Sequence, residues 1–112
     1  MSNVTRAVPL NTPHTNLGAT PASSGATQLI AAVAGKKFRV LSLVMITTSA
    51  NSVKFQSAST DITGLFPLGA NGGFTLPFNE HGWFETAAGE ALNINMSAAS
   101  STGVQLQYIA LA

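Results

Sequence analysis

From Gln28 to Ala112, apolar and small polar residues alternate with a period close to two, and few of the polar partners carry a charge. Such alternation puts successive side chains on opposite faces of an extended chain, so it specifies half-buried β-strands rather than helices. The whole chain holds five Lys or Arg and four Asp or Glu among 112 residues. Exposed strands of monomeric proteins are ordinarily guarded by Lys, Glu or Pro against pairing with other chains. Here the solvent side is written in Ser, Thr, Asn, Gln and Ala instead. A surface of that kind is expected to be covered by partners, which points to a structural or interaction protein.

A chain of this length is one domain and buries roughly two-thirds of its unfolded surface. No run approaches the ~18 consecutive apolar residues of a membrane span. The first residues lack the apolar centre of a signal peptide, so no secretory route is expected. There is no cysteine, which excludes disulfides and thiolate metal sites. The net charge of +1 is unevenly laid out. Arg6, Lys36, Lys37, Arg39 and Lys54 all precede Asp61, Glu80, Glu85 and Glu90. Either copies complement one another head to tail, or a basic edge faces an acidic partner, or these charges are simply solvated. Nucleic acid is excluded as a partner, because phosphate binding needs many more cations, with stacking aromatics near them.

Residues 1–25 differ from the rest. Pro9, Pro13 and Pro21 block both helix and central strand, and Val4, Val8, Leu10 and Leu17 follow no period. This reads as an extended N-terminal arm, either a loose terminus or a strap laid on a neighbour. The neutral composition of the remainder favours the strap, with Val8 and Leu10 as apolar anchors and Arg6 as a charged peg. Residues 26–112 read as the folded domain. Strands are expected over residues 27–34, 37–48, 52–57, 62–68, 74–78, 83–87, 91–97 and 104–111, with turn residues every eight to twelve positions. Eight short strands without helices suit a jelly-roll β-sandwich. The glycine-rich Gly69–Gly73 reads as a hairpin turn, since it lacks the Lys-Ser/Thr of a phosphate loop.

The strand over residues 37–48 is apolar on both faces. Phe38, Val40, Val44 and Ile46 fall on one side, and Arg39, Leu41, Leu43 and Met45 on the other. A strand of that kind is covered twice, once by its own core and once by something else. Leu41, Leu43 and Met45 are therefore expected at a subunit interface. Trp83 and Phe84 are expected there too, since adjacent rings in a strand face opposite ways and one is left as an anchor.

Catalysis fails on inventory. His14 lies in the proline-rich arm, and His81 with Glu80 forms a polar turn before a strand. No third group completes an acid–base or metal constellation, so no enzyme, cofactor or metal is expected. The triplets Asn3-Val4-Thr5 and Asn95-Met96-Ser97 match a glycosylation acceptor only by coincidence if the chain is not secreted.

Three stretches carry a resemblance: GKKFRVLSL from Gly35 to Leu43, PLGANGG from Pro67 to Gly73, and LPFNEHGWFETAAGEAL from Leu76 to Leu92. Together they resemble small jelly-roll virion proteins of tailed bacteriophages, in particular head decoration, or cement, proteins. The likeness is one of strands and turns, covers about two-thirds of the chain, and leaves out the residues before Ala26. It implies a homotrimer made in the host cytoplasm and seated on the outer surface of the phage head. There it would bind the major capsid protein and add contacts between capsomers, with no membrane or nucleic-acid partner. The other readings are a trimeric tail-fibre knob that binds a receptor, and a soluble carbohydrate-binding module. The last needs an aromatic platform that one Trp and one Tyr supply poorly.

Overall fold

Most of the alternating segments fold as strands. The computed structural model describes residues 14–112 and holds ten of them: β1 (Thr15–Ala19), β2 (Gly25–Ile30), β3 (Lys37–Thr47), β4 (Asn51–Ser57), β5 (Thr60–Asp61), β6 (Phe66–Leu68), β7 (Gly73–Leu76), β8 (Phe84–Glu85), β9 (Leu92–Met96) and β10 (Thr102–Leu111). Every pairing is antiparallel. One sheet runs β1-β10-β3-β7, with β8 also on β3, and the other runs β2-β9-β4-β5, with β6 also on β4. These orders describe a chain folded back along itself. β1 meets β10, β2 meets β9, β3 meets β7 and β8, and β4 meets β5 and β6. The resulting ribbon rolls into two layers, with the β10–β3 pair central in one and the β9–β4 pair central in the other, which makes a jelly-roll-like β-sandwich.

Between the layers lie Phe38, Val40, Leu43, Met45, Val104 and Leu106 from one sheet, and Val53, Phe55, Leu92, Ile94 and Met96 from the other. Aromatic pairs tie the layers together. Phe55 of β4 stacks on Phe84 of β8 at 5.0 Å, and Phe66 of β6 meets Phe74 of β7 at 4.9 Å. Such pairs add about 0.5–1.5 kcal/mol beyond the area they bury.

The alternation along β3 is interrupted once, and this corrects the expected faces. Gln107 lies opposite Ser42 and Tyr108 opposite Val40, so Leu41 has no partner on β10. An extra residue in one strand inverts the side-chain phase beyond it. Phe38 and Val40 point inward before the bulge, and Leu43, Met45 and Thr47 point inward after it. Val44 and Ile46 are thereby turned outward, 41% and 56% exposed. The strand that reads as apolar on both faces is a strand that changes phase. Leu41 itself is fully buried in a second small cluster with Ile109 and Leu111.

Boundaries also differ: the strands expected over residues 27–34, 62–68 and 83–87 are Gly25–Ile30, Phe66–Leu68 and Phe84–Glu85, and two segments change role. The stretch over residues 15–19 is not part of a free arm, because it pairs along β10 from Thr15–Tyr108 to Ala19–Val104. Pro21 follows the strand without preventing it, since β1 is an edge strand with only one ladder to satisfy. Gly69–Gly73 is a tight turn (Gly72 N to Gly69 O, 2.9 Å; Asn71 φ 58°) but not a hairpin. It carries the chain from β6 in one sheet to β7 in the other. Gly73 is required where it lands, because a Cβ there would overlap the Met45 carbonyl oxygen across the β7–β3 ladder.

β8 is held by one buried residue next to it. Thr86 Oγ1 accepts the Phe38 N–H at 3.0 Å, and the Thr86 N–H donates to the Phe38 carbonyl at 3.0 Å. Thr86→Val keeps the shape and leaves the Phe38 N–H unsatisfied, so it is expected to lower stability by about 1–3 kcal/mol. Urea unfolding measures this; a loss under about 0.5 kcal/mol, the range of neutral surface changes, would contradict the assignment.

Candidate functional site

The outer face of the β1-β10-β3-β7 sheet is the surface that the phase change creates. Register aligns three rows across it: Asn16–Gln107–Ser42, then Gly18–Gln105–Val44–Thr75, then Gly103–Ile46–Gly73. No residue in these rows is charged. Gly18 and Gly103 line a shallow depression of about 390 Å³ beside Val44 and Ile46, and an adjoining one of about 440 Å³ is lined by Asn16, Ser42, Val44, Thr75 and Gln107. Ser42 Oγ donates to Gln107 Oε1 at 3.0 Å, which fixes the first row. The face is flat, apolar at its centre and bordered by amides, a composition suited to packing against another neutral protein surface.

The opposite sheet presents a different outer face, built from Gln28, Lys54, Gln56, Asn93 and Asn95. Its polar groups are largely consumed among themselves. Asn95 Nδ2 donates to Gln56 Oε1 at 3.3 Å, Gln56 Nε2 to Asp61 Oδ1 at 2.8 Å, and Asn93 Nδ2 to the Ala58 carbonyl at 2.8 Å.

The charges that are lopsided in sequence meet within the chain. Arg39 Nε lies 3.0 Å from Glu85 Oε1, Lys37 Nζ 3.9 Å from Glu85 Oε2, and Lys54 Nζ 3.1 Å from Asp61 Oδ2. Folding the first half of the ribbon along the second brings early cations opposite late acids. Head-to-tail complementarity between copies therefore has few charges left to use. The Asp61 carboxyl is held below its ordinary range, first by the hydrogen bond from Gln56 and then by the Lys54 ammonium.

The residues expected at a subunit interface are divided by the structure. Leu41, Leu43 and Met45 are each at most 2% exposed and belong to the chain's own interior, so the exposed pair on β3 is Val44 and Ile46 instead. Phe84 points inward onto Phe55, whereas Trp83 is 42% exposed. Arg6, Val8 and Leu10, expected as capsid-binding anchors, lie outside the described residues. His14 is not freely solvated: its ring packs on Phe78 at 5.6 Å, and Nε2 is buried without a hydrogen-bond partner among the described residues. His81 sits on an exposed turn closed by Asn79, whose Oδ1 accepts the His81 N–H at 2.9 Å. Among the described residues no group of three or more His, Asp or Glu could hold a metal ion.

No protein-family model, curated protein or solved structure matches the chain. The site therefore stands on its own geometry. Because the Asp61 pKa is depressed, the stabilisation it gives is present above the unfolded value and is lost as pH falls through the folded one. An NMR titration of the Asp61 carboxyl carbon should place its midpoint below 3.8, and Gln56→Met should move it up toward that value. A midpoint unchanged by the substitution would contradict the Gln56 contact.

Proposed function

We propose that the chain is a structural protein of a tailed-phage virion, a decoration protein that binds the outer surface of the head and stabilises it. One observation carries the reading: a charge-free stretch of outer sheet face with Val44 and Ile46 exposed at its centre. Such a face on a protein short of charge invites association. A cement protein needs this property, since it gains affinity from broad shape-matched contact with the capsid rather than from a catalytic or ligand site. The jelly-roll-like sandwich and the resemblance in the Gly35–Leu43, Pro67–Gly73 and Leu76–Leu92 segments support the same assignment. Assembly as a homotrimer and attachment to the major capsid protein are part of the proposal. Three linked subunits would raise the avidity of individually weak contacts.

A tail-fibre knob is the second reading, and the exposed Phe78 and Trp83 near one end of β3 favour it. Sedimentation separates the two. Purified protein mixed with undecorated heads should co-sediment, and Ile46→Lys, which places a charge at the centre of the face, should weaken that binding at least about tenfold. The melting temperature should change little, because Ile46 is exposed. Wild-type protein that fails to bind heads but binds host cells would overturn the decoration reading in favour of the knob.

A further inference from the structure

Beyond the neutral face, the described residues hold one more constellation of chemistry-bearing side chains, at the β8 end of the same sheet. β8 pairs Glu85 with Arg39 and Phe84 with Val40. Since Phe84 points into the core, Trp83 and Glu85 on either side of it point outward, beside Arg39. Trp83, His81, Glu85 and Arg39 together line a depression of about 210 Å³.

Three of these side chains, Trp83, Arg39 and Glu85, are held by hydrogen bonds within the chain. Trp83 Nε1 donates to the Pro77 carbonyl at 2.8 Å, which orients the indole while the residue remains 42% exposed. The segment carrying it is fastened to β3 at two points, Asn79 N to Leu41 O at 2.9 Å and Trp83 N to Val40 O at 2.8 Å. The turn between them closes through Gly82 N to Asn79 O at 2.8 Å. Gly82 has φ +82° and lies so close to the Arg39 stem that a Cβ would overlap it. Glu85 orients the Arg39 guanidinium through Nε, leaving the terminal nitrogens as donors. Glu85 Oε2 lies 3.9 Å from Lys37 Nζ, too far for a hydrogen bond, and remains an acceptor.

We infer that this depression is a binding site for a neutral pyranose ring, such as the terminal residue of a cell-surface glycan. One face of a pyranose is a patch of C–H groups carrying slight positive charge, which matches the negative face of an indole. The hydroxyls around its rim need planar donors and acceptors at fixed positions, and Arg39 and Glu85 supply one of each. The opposed charges of Arg39 and Glu85 suit a neutral ligand over an ionised one. The volume is smaller than the roughly 300–1,000 Å³ of a drug-sized pocket, so one ring seats while the rest of the glycan extends into solvent. Because Trp83 and Arg39 are already held by hydrogen bonds, seating a ring on them costs less conformational entropy than ordering free side chains would. The inference does not depend on the virion reading, since Val44 and Ile46, on which that reading rests, do not line this depression.

Trp83 is the chain's sole tryptophan, so intrinsic fluorescence reports on this site alone. The full chain would be titrated with the methyl glycosides of glucose, mannose, galactose and N-acetylglucosamine, up to tens of millimolar. At least one should give a saturable change in emission. Glu85→Gln should weaken that binding about tenfold, the size expected for one hydrogen bond to a charged group. Trp83→Ala should abolish it, read by amide chemical shifts, with the β-type circular dichroism unchanged. The inference is overturned if none of the four glycosides saturates, if binding survives Trp83→Ala, or if only an anionic sugar such as methyl glucuronoside binds. It is equally overturned if no glycoside binds and Trp83→Ala lowers the mass seen by light scattering, which would make the indole a subunit anchor.

Discussion

The antiparallel pairing of β3 with β10, continuous over ten register positions except at Leu41, sets which residues are core and which are surface. Every other strand of its sheet is placed relative to this pair: β1 on the outer side of β10, and β7 and β8 in succession along the free side of β3. Leaving Leu41 unpaired inverts the inward face partway along, so Phe38 and Val40 enter the core in one phase and Leu43, Met45 and Thr47 in the other. The two ends of β3 consequently present different outer surfaces. Toward its start the outward residue is Arg39, paired with Glu85 beneath an ordered turn. Toward its end the outward residues are Val44 and Ile46, with glycines and amides around them. One bulge thus separates a charged, pre-organised corner from a neutral, flat face.

The nested topology accounts for the charge layout. A chain folded back along itself puts its first half against its second, so cations confined to the first and acids confined to the second become neighbours without a partner molecule. Exposed ion pairs of this kind contribute about 0–1 kcal/mol each, so their effect is less on stability than on what the surface offers to others. With Lys37, Arg39 and Lys54 engaged internally, the neutral face has little charged competition as the contact surface.

Much of the fold was legible because strand periodicity is written directly in the residues. β3, β4, β9 and β10 alternate strongly, and their expected bounds hold to within two residues. β1 was illegible because Leu17 is the only large apolar residue of TNLGA, and its pairing with β10 is a long-range fact that local pattern does not carry. The β4–β5 hairpin was missed because Ala58 occupies a position with φ 53°, where glycine or asparagine ordinarily signals the turn. The bulge was missed for a more general reason. A run in which Leu41, Leu43, Val44, Met45 and Ile46 are all apolar satisfies two phases equally, and only the partner strand decides between them. The site suffered accordingly: Leu43 and Met45 were read onto the surface that Val44 and Ile46 occupy. The Trp83–Phe84 pair was legible as one ring in and one out, but not which.

The functional reading rests on that exposed pair, and the absence of cysteine makes it directly measurable. Four single-cysteine variants, Leu43→Cys, Val44→Cys, Met45→Cys and Ile46→Cys, would be treated with a thiol reagent under native conditions and again in denaturant. The account predicts that thiols at 44 and 46 react in the native protein nearly as fast as in the unfolded chain, while those at 43 and 45 are strongly protected. Protection at 44 and 46 with rapid labelling at 43 and 45 would mean that β3 keeps a single phase, and that the neutral face described here is not the surface of the protein.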